Sequence, residues 1–446
     1  MSTPHAGGAP PPRWRSILPA GSVPISTGLV VSALTSYAFV VWSARLLGPE
    51  RYGPLAVLWS LVFTIGPGLF MPLEQEVSRA VTARRVAGLG ARPVVRRAAL
   101  LGALVVGGLA LVAVGGRGFL VPRLFGGHDL LLVALVVSLV GYGVQHTARG
   151  VAAAERRFRA YGGVIGWEGA LRVLPIPLIA VLGAGSASSY GLVLASAPLI
   201  AAILLLEHLR RHPVDLGDGP DLTLGKLTRA VAFLVAGSVL GQLLINAPQL
   251  AVELLATEAE RADTGRFFTA LVLARVPLFL FAAVQASQLP RLTRHVVRRD
   301  SAGFHRALLY LCGIVAGVGL AATGGAVVAG PTVLAVMFGE DFVLGRSHLA
   351  YLAGATAVFL VGLALSQGLV ALSAHPAVPI GWLAGLGVFG ILLTRQAPLL
   401  LRVEQAMLGG CVAATLVMGL LVAARLRAQA GRPESRQPPP APPLAP

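Results

Sequence analysis

Twelve long apolar runs constrain the fold of this chain more than any other feature of its sequence. A helix needs about 20 apolar residues to cross the hydrocarbon core of a bilayer. Inside a membrane every backbone N–H and C=O group must be paired, so such runs fold as helices. The sequence therefore predicts an all-α integral membrane protein with about 12 transmembrane helices. The runs lie near residues 24–45, 54–77, 98–116, 129–148, 161–183, 189–208, 229–252, 267–289, 307–329, 347–371, 376–394 and 405–424.

Charged residues are scarce and concentrate in the loops between these runs. Of the 446 residues, 12% are charged and 55% are hydrophobic, whereas soluble domains carry about 25% charged residues. The net charge is +17, and Lys226 is the only lysine among the 36 cations. Arginines in short loops that flank apolar runs are typical of membrane orientation signals and less typical of nucleic-acid binding. Membrane lipids are therefore expected partners, and nucleic acid is not.

The distribution of the cations predicts the orientation of the chain. If the N-terminus is cytoplasmic, the segments on that side contain 25 arginines and lysines, and the opposite loops contain 9. Positive residues are enriched on the cytoplasmic side of membrane proteins. Twelve spans return the chain to the side on which it began, so both termini are predicted to be cytoplasmic.

The most polar interior segment divides the spans into two sets of six. We expect an N-terminal lobe at 23–209, a cytoplasmic linker at 210–228 and a C-terminal lobe at 229–426, with the two lobes flanking a central cavity. The tails, 1–22 and 427–446, are rich in proline and are expected to be disordered.

Several segments resemble the polysaccharide-flippase branch of the multidrug/oligosaccharidyl-lipid/polysaccharide (MOP) exporter superfamily. They are LLGPERYGPLAV at 46–57, FFTALVLARVPLFLFAAVQASQLPRLTR at 267–294, VLAVMFGEDF at 333–342 and LALSQGLVALSAHPAVPIGW at 363–382. The resemblance implies a two-lobed exporter in the plasma (inner) membrane of a bacterium. Its implied substrate is an oligosaccharide linked to polyprenyl pyrophosphate, moved from the inner to the outer leaflet for cell-surface polysaccharide biosynthesis. Its implied protein partners are a glycan polymerase or glycosyltransferases.

The first of these segments is a rigid, charged turn between two apolar runs. Gly48–Pro49 is predicted to end the first helix, and Pro54 is predicted to begin the second. The segment fits a tight hairpin that sets how the two helices diverge. Alternatively, Arg45 and Arg51 contact an anionic group of the substrate at the outer exit.

Two arginines lie inside the predicted spans, where an ionisable group costs a few kcal/mol unless it has a partner or faces water. Arg275 lies about 13 Å into the eighth span, just before a kink predicted at Val276–Pro277. Glu168 and Arg172 are four residues apart and share a helix face. Each arginine is a candidate ligand for pyrophosphate or an acidic sugar, and Glu168 is a candidate switch. The alternative is that each arginine only pairs inside the protein.

An amide stripe lies on the seventh span. Gln242, Asn246 and Gln249 follow the i, i+4, i+7 spacing of one helix face. Uncharged amides both donate and accept hydrogen bonds, as carbohydrate hydroxyls require. The stripe is therefore either sugar-facing or engaged in hydrogen bonds between helices.

Two carboxylates, Glu74 and Glu76, lie near the cytoplasmic end of the second span. They are expected to pair with the neighbouring Arg79, Arg84 and Arg85 at the membrane surface, or to form a cytoplasmic gate.

Two other function classes fit the sequence less well. A drug or cation antiporter of the same superfamily would need acidic cavity residues, and Glu168 is the only deep carboxylate. A membrane-embedded polymerase or glycosyltransferase would need a large outer loop with catalytic residues. No phosphate-binding loop is present, and no His or Cys pair has metal-ligand spacing. We therefore expect a transporter without enzyme activity, metal or cofactor.

Overall fold

The computed structural model describes residues 22–213, 216–220, 229–278 and 300–430, together with positions 281, 292, 295, 296 and 298. These residues form 15 α-helices, a few short helical turns and no strand. The all-α prediction is confirmed.

The first half of the chain contains nine of the helices. They are α1 (Ser22–Leu47), α2 (Pro49–Ile65), α3 (Met71–Val86), α4 (Arg92–Gly115), α5 (Arg117–Leu124), α6 (Asp129–Ala154), α7 (Phe158–Val173), α8 (Pro175–Val181) and α9 (Ala187–Arg211). The second half contains α10 (Arg229–Leu255), α11 (Arg261–Ala274), α12 (Ser301–Phe338), α13 (Arg346–Ala371), α14 (Ala377–Leu393) and α15 (Leu399–Ala430).

Ten of the described helical segments are long and apolar enough to cross a membrane, and Ala377–Leu393 is a shorter apolar helix. The protein is therefore a multi-pass membrane protein. Eleven of the twelve apolar runs coincide with these segments. The remaining run, 267–289, begins within α11 and continues beyond the described residues.

The turn between α1 and α2 differs from the prediction at one end. α1 ends at Leu47, and Gly48 has a φ of 75°, a left-handed conformation that glycine adopts without steric cost. However, α2 begins at Pro49 and not at Pro54, so the predicted start was wrong by five residues. Pro49 occupies the first helical position, where an N–H would have no acceptor within the helix, so proline loses no hydrogen bond there. Pro54 lies inside α2, in its second turn, and has no N–H to donate to the Glu50 carbonyl oxygen.

Three helices are interrupted next to proline or glycine residues, one of them at the kink predicted at Val276–Pro277. Gly66–Phe70 forms a π-helical turn between α2 and α3. Leu174 separates α7 from α8, which begins at Pro175. α11 ends at Ala274, and Arg275 caps it immediately before Val276–Pro277. Proline and π turns free backbone groups within a helix, so these positions are where the spans change direction.

Each half packs mainly through contacts among its own helices. In the first half α6 contacts α9, α3 and α4, while α1 lies along α7. In the second half α13 lies between α12 and α15, and α14 packs on α15 and α10. Small residues allow the closest approach, because a Cβ on Gly162 of α7 would overlap the Pro24 carbonyl oxygen of α1.

The two halves meet where α2 contacts α10 and α11. Tyr52 of α2 is buried, and its ring lies 5.7 Å from that of Phe268 and 6.3 Å from that of Phe342. Gly265 of α11 lies so close to Pro49 that a Cβ would overlap the proline carbonyl oxygen. These residues are in or next to loops that the sequence predicts to face outward, and they join the two halves at that end of the molecule.

Candidate functional site

Glu168 and Arg172 form an ion pair on one face of α7, as their spacing predicts. Both side chains are buried, with relative exposures of 5% and 2%. The Arg172 guanidinium also donates to the Ser36 hydroxyl at 3.1 Å and the Tyr142 hydroxyl at 3.1 Å. This arrangement matches the internal-pairing alternative, since the opposite charges neutralise each other.

The Glu168 carboxylate is held by three side chains. Besides Arg172, it accepts from the Tyr142 hydroxyl at 3.0 Å and from the Gln145 amide at 2.9 Å. These three donors, from α6 and α7, satisfy the carboxylate oxygens inside the bundle. Tyr142 and Gln145 lie on α6 and contribute to this cluster without any local sequence signal that would identify them.

Arg275 lies at the end of α11, whose 14 residues place it about 21 Å along the helix from its first residue. Its guanidinium donates to Asn246 Oδ1 at 2.9 Å and to the backbone carbonyl of Ile245. The guanidinium has no ion-pair partner among the side chains that the structure describes, and the residue is half-buried. Unlike Arg172, Arg275 therefore keeps its positive charge uncompensated by a described carboxylate.

The amide stripe of α10 is partly engaged. The Asn246 amide nitrogen donates to the Gln242 carbonyl oxygen at 2.9 Å, while its oxygen accepts from Arg275. Gln249 is fully buried, and neither atom of its amide group is hydrogen-bonded within the described part of the chain. The fold thus brings Arg275 and Asn246 together and leaves an unbonded amide one turn away.

Arg45 lies apart from these groups at the end of α1. It is exposed and donates to the carbonyl oxygen of Val336 near the end of α12. Arg51, also exposed, donates to the Leu47 carbonyl oxygen at 3.2 Å. Both arginines are therefore tied to backbone at the end of the molecule where α2 contacts α11.

Glu74 does not pair with the neighbouring arginines as expected. The Glu74 carboxylate contacts His146 Nδ1 at 2.7 Å, Arg149 Nε at 3.3 Å and the Tyr161 hydroxyl. These partners lie on α6 and α7, because Glu74 points into the bundle while Glu76 lies toward the surface. Glu76 pairs with Arg79 at 2.6 Å, which confirms that part of the expectation.

Another buried carboxylate, which forms a pair with a histidine and was not identified from sequence, lies in the second half. Glu404 of α15 is fully buried, and both of its oxygens lie 2.9 Å from His348 Nδ1. The two residues are 56 positions apart, so no local spacing identifies them. Among the described residues no group of three His, Cys, Asp or Glu side chains is placed to hold a metal ion.

Two clefts open at the end predicted to be cytoplasmic. One, of about 560 Å³, is lined by residues of α3 that include Glu74 and Arg79. The other, of about 590 Å³, is lined by Pro24, Arg156, Arg157, Phe158, Arg159, Ala160, His208 and His212. Neither of these clefts is lined by Arg172 or Arg275.

Comparisons with known proteins identify the fold. No family model matches the chain. The uncharacterized protein Rv3630 of Mycobacterium tuberculosis is 27% identical over 408 residues, which cover 88% of this chain and 89% of that protein. Among solved structures, an inward-facing multidrug resistance MATE family transporter of the MOP superfamily superposes with a TM-score of 0.71 at 16% identity, covering 92% of this chain and 99% of that one.

Two other structures of the superfamily extend the comparison. An outward-facing conformation of a multidrug resistance MATE family transporter gives a TM-score of 0.61 at 17% identity, covering 92% of this chain and 95% of that one. A MOP superfamily transporter from Pyrococcus furiosus, described as having a binding pocket of reverse polarity, gives 0.64 at 16% identity with the same coverage. The chain therefore has the fold of MATE family transporters.

Proposed function

We propose that the protein is a membrane transporter that moves an anionic, lipid-linked oligosaccharide on a polyprenyl-pyrophosphate carrier from the inner to the outer leaflet. The two halves of the chain would alternate between inward-open and outward-open forms. The fold supports transport, the arginine distribution supports cytoplasmic termini, and the resemblance to the flippase branch supports the plasma membrane of a bacterium. The substrate class rests on the site.

One observation carries the assignment of an anionic substrate. Arg275 is a half-buried cation inside the bundle that contacts two neutral oxygens and no described carboxylate. A charge at this depth is costly unless a cavity, water or an anion compensates it. The pyrophosphate of a lipid carrier would supply the missing charge, and guanidinium is suited to bind phosphate oxygens. Arg172 is a weaker candidate because Glu168 already neutralises it.

The neighbouring amides suit the glycan. Asn246 orients Arg275, and Gln249 has a free amide group on the same helix face. We propose that Gln249 binds a sugar hydroxyl after the halves separate, with Gln242 at the edge of the site. Arg45 would contact the substrate only at the outer exit. Glycan polymerases or glycosyltransferases would act on the exported product.

A drug or cation antiporter has the same fold and is the competing proposal. Its substrate or coupling cation would need an available carboxylate. Glu168 already has Arg172, Tyr142 and Gln145 as partners, which disfavours that role. The reverse pocket polarity described for the Pyrococcus furiosus transporter supports the view that this fold holds pockets of either charge.

A transport assay on variants that remove or retain the positive charge at position 275 tests the proposal. Purified protein in vesicles would be given a fluorescent polyprenyl-pyrophosphate disaccharide, and its movement would be followed by chemical quenching. We expect Arg275→Gln to weaken substrate binding by about tenfold or more, since a hydrogen bond to a charged group contributes about 1.5–3 kcal/mol. Arg275→Lys should retain part of the activity, and Arg427→Gln, at an exposed position, should retain all of it.

Cationic dye efflux measured in the same vesicles separates the two proposals. Full transport of the pyrophosphate-linked substrate by Arg275→Gln would refute the role of Arg275. Efflux of a cationic dye that depends on Glu168 and not on Arg275 would favour the antiporter.

A further inference from the structure

The cleft lined by Arg156, Arg157, Arg159, His208 and His212 is not used by the proposed transport site. It lies between the first turn of α1, the connection from α6 to α7 and the end of α9. Its volume is about 590 Å³, and no carboxylate lines it. The rings of His208 and His212 lie 4.9 Å apart at its edge. The cleft therefore gathers three arginines and two histidines, with no carboxylate in its lining.

One arginine of this cleft is fixed by the fold and two are not. Arg157 donates to the His212 carbonyl oxygen at 2.5 Å and to the Pro213 carbonyl oxygen at 3.3 Å, which ties α9 to the start of α7. Arg156 and Arg159 are exposed, and neither has an ion-pair partner in the described portion of the structure. Their guanidinium groups are available to an anion.

Arg156 occupies a position where an arginine is unfavourable. Its φ of 56° is left-handed, and its N–H and that of Arg157 donate to Ala153 and Ala152. This is the pattern that ends many helices, and glycine is the usual residue at the left-handed position. An L-residue with a side chain costs stability there.

Arg159 also occupies a position that is unfavourable for its side chain. It lies in the first turn of α7, where the positive end of the helix dipole disfavours a cation. Two arginines that each lower local stability therefore line the same cleft. Neighbouring residues that hold an unfavourable backbone conformation or charge position, with no compensating contact, are expected at functional sites.

The surroundings of the cleft identify the kind of anion. His208 is one turn after Leu204, so the two residues share a face of α9, and Leu204 is 47% exposed. Val23, next to the lining residue Pro24, is 53% exposed. Exposed apolar side chains on a transmembrane helix face acyl chains, so the cleft adjoins the hydrocarbon surface at the level of the headgroups.

We infer that this cleft binds the phosphate group of an anionic lipid in the cytoplasmic leaflet. Arg156 and Arg159 contact the phosphate oxygens, and the acyl chains lie along α1 and α9. Basic clefts between helices at this level are suited to lipid headgroups. The inference does not rest on the proposed transport function, because it concerns a different site and holds for any substrate.

The test measures lipid binding to the full-length protein in neutral detergent micelles. Dioctanoyl phosphatidylglycerol would be titrated and the bound fraction followed by native mass spectrometry, with dioctanoyl phosphatidylcholine as the zwitterionic reference. The test variant is Arg156→Gly combined with Arg159→Gln. Both changes relieve an unfavourable local position, so a folding defect is not expected to mimic lost binding.

The matched control removes two arginines from the same end of the molecule. Arg210 and Arg211 both pair with Glu207, at 3.6 Å and 2.9 Å, and do not line the cleft. We expect Arg156→Gly/Arg159→Gln to lower the affinity for phosphatidylglycerol by about 30-fold, from about fivefold per arginine near an anionic surface. Arg210→Gln/Arg211→Gln should change it by about twofold or less.

Three results would overturn the inference. They are unchanged phosphatidylglycerol affinity in Arg156→Gly/Arg159→Gln, an equal loss in the control variant, and equal affinity of the wild type for the two lipids. A competition measurement with sodium pyrophosphate provides a further test. If it displaces phosphatidylglycerol and binds as tightly, the site takes free phosphate groups and the lipid assignment is wrong.

Discussion

The buried pair of Glu168 and Arg172 allows a test that separates a structural role from substrate binding. Both side chains are almost fully buried, so removal of one partner leaves an uncompensated charge inside the bundle. Breaking a buried pair in this way costs about 3–5 kcal/mol. We therefore expect Glu168→Gln and Arg172→Met each to lower the free energy of unfolding by about 3–5 kcal/mol.

The double variant should be far less damaged than the sum of the two single changes. With both charges removed, the remaining cost comes from the Ser36, Tyr142 and Gln145 groups that lose a partner, about 1–3 kcal/mol. The coupling energy of the cycle should then be several kcal/mol, well above the roughly 0.5 kcal/mol expected of independent sites. The buried interior of the helix bundle is the reason for this size.

Equilibrium unfolding in mixed micelles, followed by tryptophan fluorescence, measures the four stabilities of the cycle. The transport assay on the double variant gives a second readout. If the pair is structural, Glu168→Gln/Arg172→Met folds and still transports. Additive stability losses would refute the pairing argument, and a stable double variant without transport would show that the pair has a role in transport.

Two further predictions concern the contact between the halves and a helix start. Gly265→Ala places a methyl group against the Pro49 carbonyl oxygen, so it should favour the outward-open form. Maleimide labelling of a cysteine placed at Ala56 should then increase. The control Gly163→Ala adds a methyl group at a position with no atom within 4 Å and should leave the labelling unchanged. Unchanged labelling in Gly265→Ala would contradict this view of the outer contact. The pKa of Asp300 is lowered because its carboxylate accepts the Gly303 N–H at 2.7 Å and lies near His295. Its stabilisation of the start of α12 is therefore complete above the usual pKa of about 3.9 and is lost as the pH falls below it. The protection factor of the Gly303 amide, which corrects hydrogen exchange for its intrinsic pH dependence, should fall in acid in the wild type and should not change with pH in Asp300→Ala.

The sequence by itself determined the helices and most of their breaks. The order and approximate ends of eleven of the twelve apolar segments follow from run length, since about 20 apolar residues must form a helix in lipid. The bends at Gly66–Phe70, at Pro175 and at Arg275 follow from proline and glycine. The Glu168–Arg172 pair was also predictable, because a spacing of four residues fixes both side chains on one face whatever surrounds the helix.

Only the tertiary structure decided which distant residues meet. Glu74 and His146 are 72 positions apart, and Arg275 and Asn246 are 29 apart. Each contact depends on how two packed helices are rotated and shifted relative to each other, and local spacing carries no information about that geometry. The same reason explains why the sequence identified Arg172 and Arg275 alike as cations in the membrane. The spacing of four residues already gave Arg172 a carboxylate, whereas packing decided that Arg275 meets the neutral oxygens of Asn246 and Ile245.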